Sequence, residues 1–208
     1  MKAPLVAACV VACAALAGCG SLFGPPPPAP HYWVLDAAER SSTAVAPAAA
    51  ASAPVIVVAT PRAAAGFDTD RIVYVREAHQ LEPYAENQWI DTPARMLLPL
   101  VGESLARTGA FGAVLNTPSP AEGAWRLETT IVRLQHEVPE ARVRFTLRAT
   151  MVDQPRRAVV AAREFEAVAP TPSVNPAGAV AAANAAVADV LRQLDDWCTG
   201  VARQRPTP

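Results

Sequence analysis

The sequence predicts one two-layer α+β domain, with two main helices packed on a mostly antiparallel sheet. Three observations carry that prediction. Trp125, Leu127, Thr129 and Ile131 alternate with Arg126, Glu128, Thr130 and Val132, and Val143, Phe145, Leu147, Ala149 and Met151 resume the alternation after Val138-Pro139-Glu140. That is the period of half-buried strands. Leu97, Leu100, Val101 and Leu105 recur at helical spacing between Thr92 and Gly109, and Val180, Ala183, Val187, Val190 and Leu194 form a second helical stripe. The 208 residues, 51% hydrophobic and 18% charged, suffice for one sizeable domain or at most two small ones. Much of the apolar fraction is Ala in low-complexity stretches rich in the 21 Pro, so the folded part is shorter than the chain. With 18 Lys+Arg against 19 Asp+Glu, the large basic excess of a dedicated nucleic-acid binder is missing.

Taking the elements in order, Lys2 precedes a small and apolar run from Ala3 to Ala17. It is too short to cross a hydrocarbon layer of about 30 Å comfortably, but has the length of a signal-peptide core. The run ends in Leu16-Ala17-Gly18-Cys19, which resembles the bacterial lipobox at all four positions. The resemblance implies a signal peptide over 1–18, cleavage before Cys19, and diacylglycerol and palmitate-type acyl chains on that cysteine. Several buried methylenes at about 0.8 kcal/mol each make a durable anchor. Gly20 and Ser21, with no Asp after the cysteine, resemble lipoproteins sent to the outer membrane.

Residues 19–30 read as the acylated cysteine and a tether, whose Pro25 to Pro28 run favours extended polyproline geometry. Such a tether spans up to about 34 Å. His31-Tyr32-Trp33-Val34-Leu35 reads as a short strand, sticky enough to dock on the domain. Residues 37–53 turn to Ala, Ser, Thr and Pro and read as a mobile loop. Pro54 to Ala59 is a β-branched run suited to a strand covered on both faces, and Arg71 to Arg76 is a second strand. Residues 84–91, with Tyr84 and Trp89, read as a connection into the first helix, where Thr92 caps and Pro93 fits the first turn. Pro99 is expected to kink that helix or delay its regular part to about Leu98. A short strand at 111–115 precedes a three-stranded meander, whose third strand runs from about Ala158 to Val168. Asn175-Pro176 caps a last helix of about 22 residues ending near Gly200. The domain is thus expected over 31–200, with a disordered tail at 201–208.

Little in the chain resembles reaction machinery. His31, His79 and His136 lack metal-site spacing, no helical H-E-x-x-H occurs, and Gly102-Glu103-Ser104-Leu105-Ala106 lies mid-helix, not on a strand-to-helix turn. No glycine loop cradles a phosphate. The expectation is a non-enzyme without metal or cofactor; an enzyme would need a deep pocket with paired carboxylates. Cys9 and Cys13 leave with the signal and Cys19 is acylated, so Cys198 remains alone and reads as a small buried hydrophobe. Arg142, Arg144 and Arg148 lie opposite Val143, Phe145 and Leu147, either as a positive stripe for head-groups or a neighbouring copy, or as a solvated strand face.

Gly66-Phe67-Asp68-Thr69-Asp70-Arg71, followed by Tyr84, Trp89, Asp91 and Met96, resembles the ABC-type transport auxiliary lipoprotein family, the PqiC-like lipoproteins. The likeness runs from Tyr32 to about Trp197. It implies a fold like the N-terminal domain of TolB and a lipid anchor on the periplasmic face of the outer membrane. It also implies partnership with an inner-membrane ABC transporter and an MCE-type protein, moving lipids or other hydrophobic molecules between membranes, with copies able to form a ring. Asp68, Asp70, Arg71, Tyr84, Trp89 and Asp91 are the expected partner-binding residues, because aromatic and Arg side chains dominate docking energies. The alternative reading is a lipoprotein that activates or scaffolds cell-wall enzymes. Direct lipid carriage is disfavoured, since a carrier must keep an apolar cavity open.

Overall fold

The computed structural model describes residues 28–36 and 53–204. The expected signal peptide, Cys19, most of the tether, most of the Ala/Ser/Pro stretch and residues 205–208 lie outside the described residues.

The long strand β7 (Trp125–Glu137) organises the sheet. One of its edges pairs antiparallel with β8 (Arg142–Asp153) from Trp125 opposite Asp153 to Glu137 opposite Arg142, and β8 pairs antiparallel with β9 (Ala158–Pro170). This is the meander that the alternation predicts. The other edge carries three short strands in succession, all parallel to it: β2 (Val55–Val58), β3 (Arg62–Ala63) and β4 (Arg71–Val75). They act as one interrupted strand, with Val58 beside Leu127, Arg62 beside Thr130 and Tyr74 beside His136. β6 (Ala113–Asn116) extends the sheet from β2, while β5 (Glu82–Trp89) and then β1 (His31–Trp33) extend it from β4.

Helices α1 (Pro93–Arg107) and α2 (Pro176–Gln204) cover one face. Against them the inward side chains of β7 and β8 are sealed: Leu127, Ile131, Phe145, Leu147 and Met151 have no exposed surface. Fully burying each such side chain contributes about 1.5–3 kcal/mol. The facing side of α2 is built of small residues, Ala179, Ala182, Ala183 and Ala186, which bring the helix close to the sheet.

Thr92 occupies the N-cap of α1, but its hydroxyl makes no capping bond and the start rests on Pro93. The helix begins there and runs through Pro99, not from Leu98. Gly109, at φ 64°, follows its end. For α2 the expected cap forms: Asn175 Oδ1 accepts the Gly178 N–H at 2.8 Å. This helix passes through Gly200 and ends at Gln204, so residues 201–204 are helical. Val201 packs on the core and Ala202 is buried, which offsets a mid-helix glycine penalty of about 1 kcal/mol.

The segment that follows the tether is fixed to the domain. β1 pairs with β5 through Trp33 opposite Trp89, and Leu35 is buried. The Asp36 N–H donates to Asn184 Oδ1 at 2.6 Å, while Asn184 Nδ2 donates to the Val34 carbonyl at 3.3 Å.

Candidate partner-docking surface

The loop between β3 and β4 turns at Gly66, whose φ of 90° suits glycine, and a Cβ there would stand 2.9 Å from Leu81 Cδ1. Phe67, packed against the core, anchors the loop from one side. From the other, the Asp70 carbonyl accepts the Trp89 N–H at 2.7 Å. Held between these points, Asp68, Asp70 and Arg71 are exposed in sequence, with the Arg71 N–H donating to Thr69 Oγ1 at 3.2 Å. An exposed, mixed-charge triad on a pinned loop presents charges without first having to order them, which lowers the entropy lost on binding.

The other expected residues are placed differently. Trp89 is 3% exposed and packs in the core, so it positions the loop through its backbone and offers no ring to a partner. The reason is its place at the end of β5, paired with Trp33 and part of the buried core cluster. Asp91 is half-buried at the entrance of α1, where Oδ1 accepts the Thr92 N–H at 2.7 Å and lies 3.7 Å from Arg95. Tyr84 sits about 17 Å further along β5, in an aromatic cluster of its own. Its hydroxyl is 2.7 Å from His136 Nδ1 and its ring centre 4.5 Å from that of Tyr74. Burial raises the Tyr84 pKa and lowers that of His136, so both favour their neutral forms and the contact is a neutral hydrogen bond. Tyr74 donates to Glu82 Oε2 at 3.0 Å, and Arg76, over the Tyr74 ring, also bonds Glu82 and holds its carboxyl below the usual range. The sequence reading missed this cluster because β5 itself was unseen; the spacing of Tyr74 and Tyr84 alone carries no signal.

The helix-free face of β7–β9 is a charge ladder. Arg142 and Arg144 both bond Glu137, at 2.5 and 2.8 Å from their Nε atoms. Arg144 reaches Glu166 as well, and Arg148 bonds Glu164 at 3.0 Å. Burial acts to raise the Glu137 carboxyl, yet hydrogen bonds and attraction from Arg144 and Arg142 pull it down to about 2. Arg142, Arg144 and Arg148 are therefore paired with acids, as on a solvated strand face. Between the helices, Ser104 donates to Asp195 Oδ2 at 2.5 Å, and burial pushes that carboxyl up to about 6. Cys198 is wholly buried, and burial pushes its thiol up. No helix among the described residues is long and apolar enough to cross a membrane.

This architecture is a two-layer α+β domain, a mixed sheet with one helix-covered and one open face, its first described strand fixed beside a pinned polar loop. The model of the ABC-type transport auxiliary lipoprotein component matches residues 34–195, and the chain belongs to that family. It is thus an auxiliary lipoprotein of ABC-type transport, a protein of the cell envelope. Among solved structures, the chain is similar to a DUF330-family protein from Xanthomonas campestris at 23% identity and a TM-score of 0.68, covering 85% of this chain and 95% of that one. A second, an uncharacterized protein, aligns at 12% identity and a TM-score of 0.64 over 82% and 99% of the two chains. Both support the fold. No curated protein matches the chain.

Proposed function

We infer that this protein is a non-enzymatic adaptor, acylated at Cys19 and held at the periplasmic face of the outer membrane. There it works with an inner-membrane ABC transporter and an MCE-type protein to move lipids or other hydrophobic molecules between membranes. The observation that carries this reading is the family match over 34–195, which spans nearly the whole described domain. Two features of the structure support it. The strand after the tether, β1, is bonded to β5 and through Val34 and Asp36 to α2, so a pull on the anchor reaches the sheet directly. Beside it, the exposed Asp68, Asp70 and Arg71 form the partner-facing part of the surface, held from within by the Trp89 N–H on the Asp70 carbonyl, with Asp91 at the entrance of α1 and Tyr84 in the separate aromatic cluster further along β5.

Affinity capture of the full chain from envelope extracts tests the reading. Recovery of the transporter ATPase, its permease and an MCE-type protein is expected, reduced at least tenfold when Asp68→Ala, Asp70→Ala and Arg71→Ala are combined. Recovery of cell-wall synthases without a transporter would contradict it. The ring of copies implied by the family resemblance belongs to the same reading and is checked by the size of the captured complex.

A further inference from the structure

We propose that the cleft where the β2–β3 turn meets the open face of β7 and β8 is a binding site for a phosphate or phosphoester anion. It encloses about 570 Å³ and its charged lining is Arg62, Arg126, Arg148 and Glu128. Three cations therefore face one acid, and that acid is held by Arg126 at 3.2 Å.

The register brings the cations together. Arg62 on β3 lies beside Thr130 on β7, and Thr130 lies opposite Arg148 on β8, so the three occupy one row across adjacent strands. At about 4.8 Å between strands, the two arginine backbones stand about 10 Å apart, with a threonine hydroxyl between them. That spacing lets two guanidinium groups approach one anion from opposite sides, the planar fork geometry that suits phosphate oxygens. Arg62 makes no ion pair among the described residues, and Arg148 uses Nη2 toward Glu164 and keeps other N–H groups.

Hydroxyl donors complete the rim. The Thr60 N–H donates to Thr117 Oγ1 at 2.8 Å, and the two hydroxyl oxygens are 3.0 Å apart. Only one hydroxyl hydrogen can lie in that contact, so whichever residue donates, the other hydroxyl keeps its hydrogen for a ligand. The lining thus offers donors and positive charge, the complement of an anion and the reverse of a cation site. None of this depends on the transport reading, since it rests on the cleft alone.

The test is calorimetric titration of the full chain in dodecyl maltoside micelles with two probes. Inorganic phosphate stands for a soluble phosphate, and glycerophosphoglycerol for a lipid head-group. Saturable binding of either supports the site, and the tighter probe names the source. Arg62→Gln and Arg148→Gln are each expected to weaken binding at least tenfold, while Arg163→Gln, outside the cleft, leaves it unchanged. No binding of either probe up to about 10 mM, or binding undiminished by both cleft substitutions, would overturn the proposal.

Discussion

On the covered side of β7 and β8, Leu127, Ile131, Phe145 and Leu147 meet the helices with no exposed surface, whereas on the open side Glu137, Arg144 and Arg148 form cross-strand ion pairs. The same two strands carry both chemistries because successive side chains point to opposite faces. Stability comes mainly from the first face, where apolar area leaves water. The second contributes little, since pairs beside solvent are weak. It is therefore the face on which charges can be arranged for contact without unfolding the domain.

Substitutions on the two faces break or sharpen that contrast. The largest effect is expected from Phe145→Ala on the covered face, a loss of about 3–5 kcal/mol in denaturant unfolding. Next comes Asp195, a charge on the covered side. Its folded pKa of about 6 exceeds the ordinary 3.8, so the stability it contributes is present below pH 3.8 and lost as pH rises through 6. Asp195→Asn removes that slope, and relative to the parent its stability should rise by up to about 3 kcal/mol between pH 4 and 7. On the open face, Glu137 has the opposite sign. With a pKa near 2 in place of 4.5, its contribution is present above pH 4.5 and disappears as pH falls toward 2. Glu137→Gln should cost about 1–2 kcal/mol at pH 7 and well under about 1 kcal/mol at pH 2. The smallest effect is expected for Arg148→Gln, whose pair with Glu164 is half exposed: less than about 1 kcal/mol in the same unfolding assay. A loss there as large as at Phe145 would abolish the distinction between the faces.

The contrast also explains what could be read from the sequence. Strands that are buried on one face show it as alternation, so β7 and β8 were legible, with β9 following from the turn at 153–156, as were the two helices by their apolar stripes. β5 was not. Its Glu82-Pro83-Tyr84-Ala85-Glu86-Asn87-Gln88-Trp89 carries residues depleted in strands, and it is held by pairing with β4 and β1 more than by an apolar face. β3, two residues long, has no periodicity to detect. For the docking surface, the sequence singled out Asp68, Asp70 and Arg71, which are exposed, together with Trp89, which is not. An aromatic near polar residues looks the same in either role until the strand that buries it is known. The anion cleft was illegible for a different reason, because Arg62, Thr117 and Arg148 meet only through strand register.

The claim of an anchored adaptor is tested most directly by intact mass spectrometry of the mature chain extracted from membranes. The account predicts a polypeptide beginning at Cys19 and heavier than its sequence by diacylglycerol and an acyl chain. An unmodified chain recovered from the soluble fraction would contradict it.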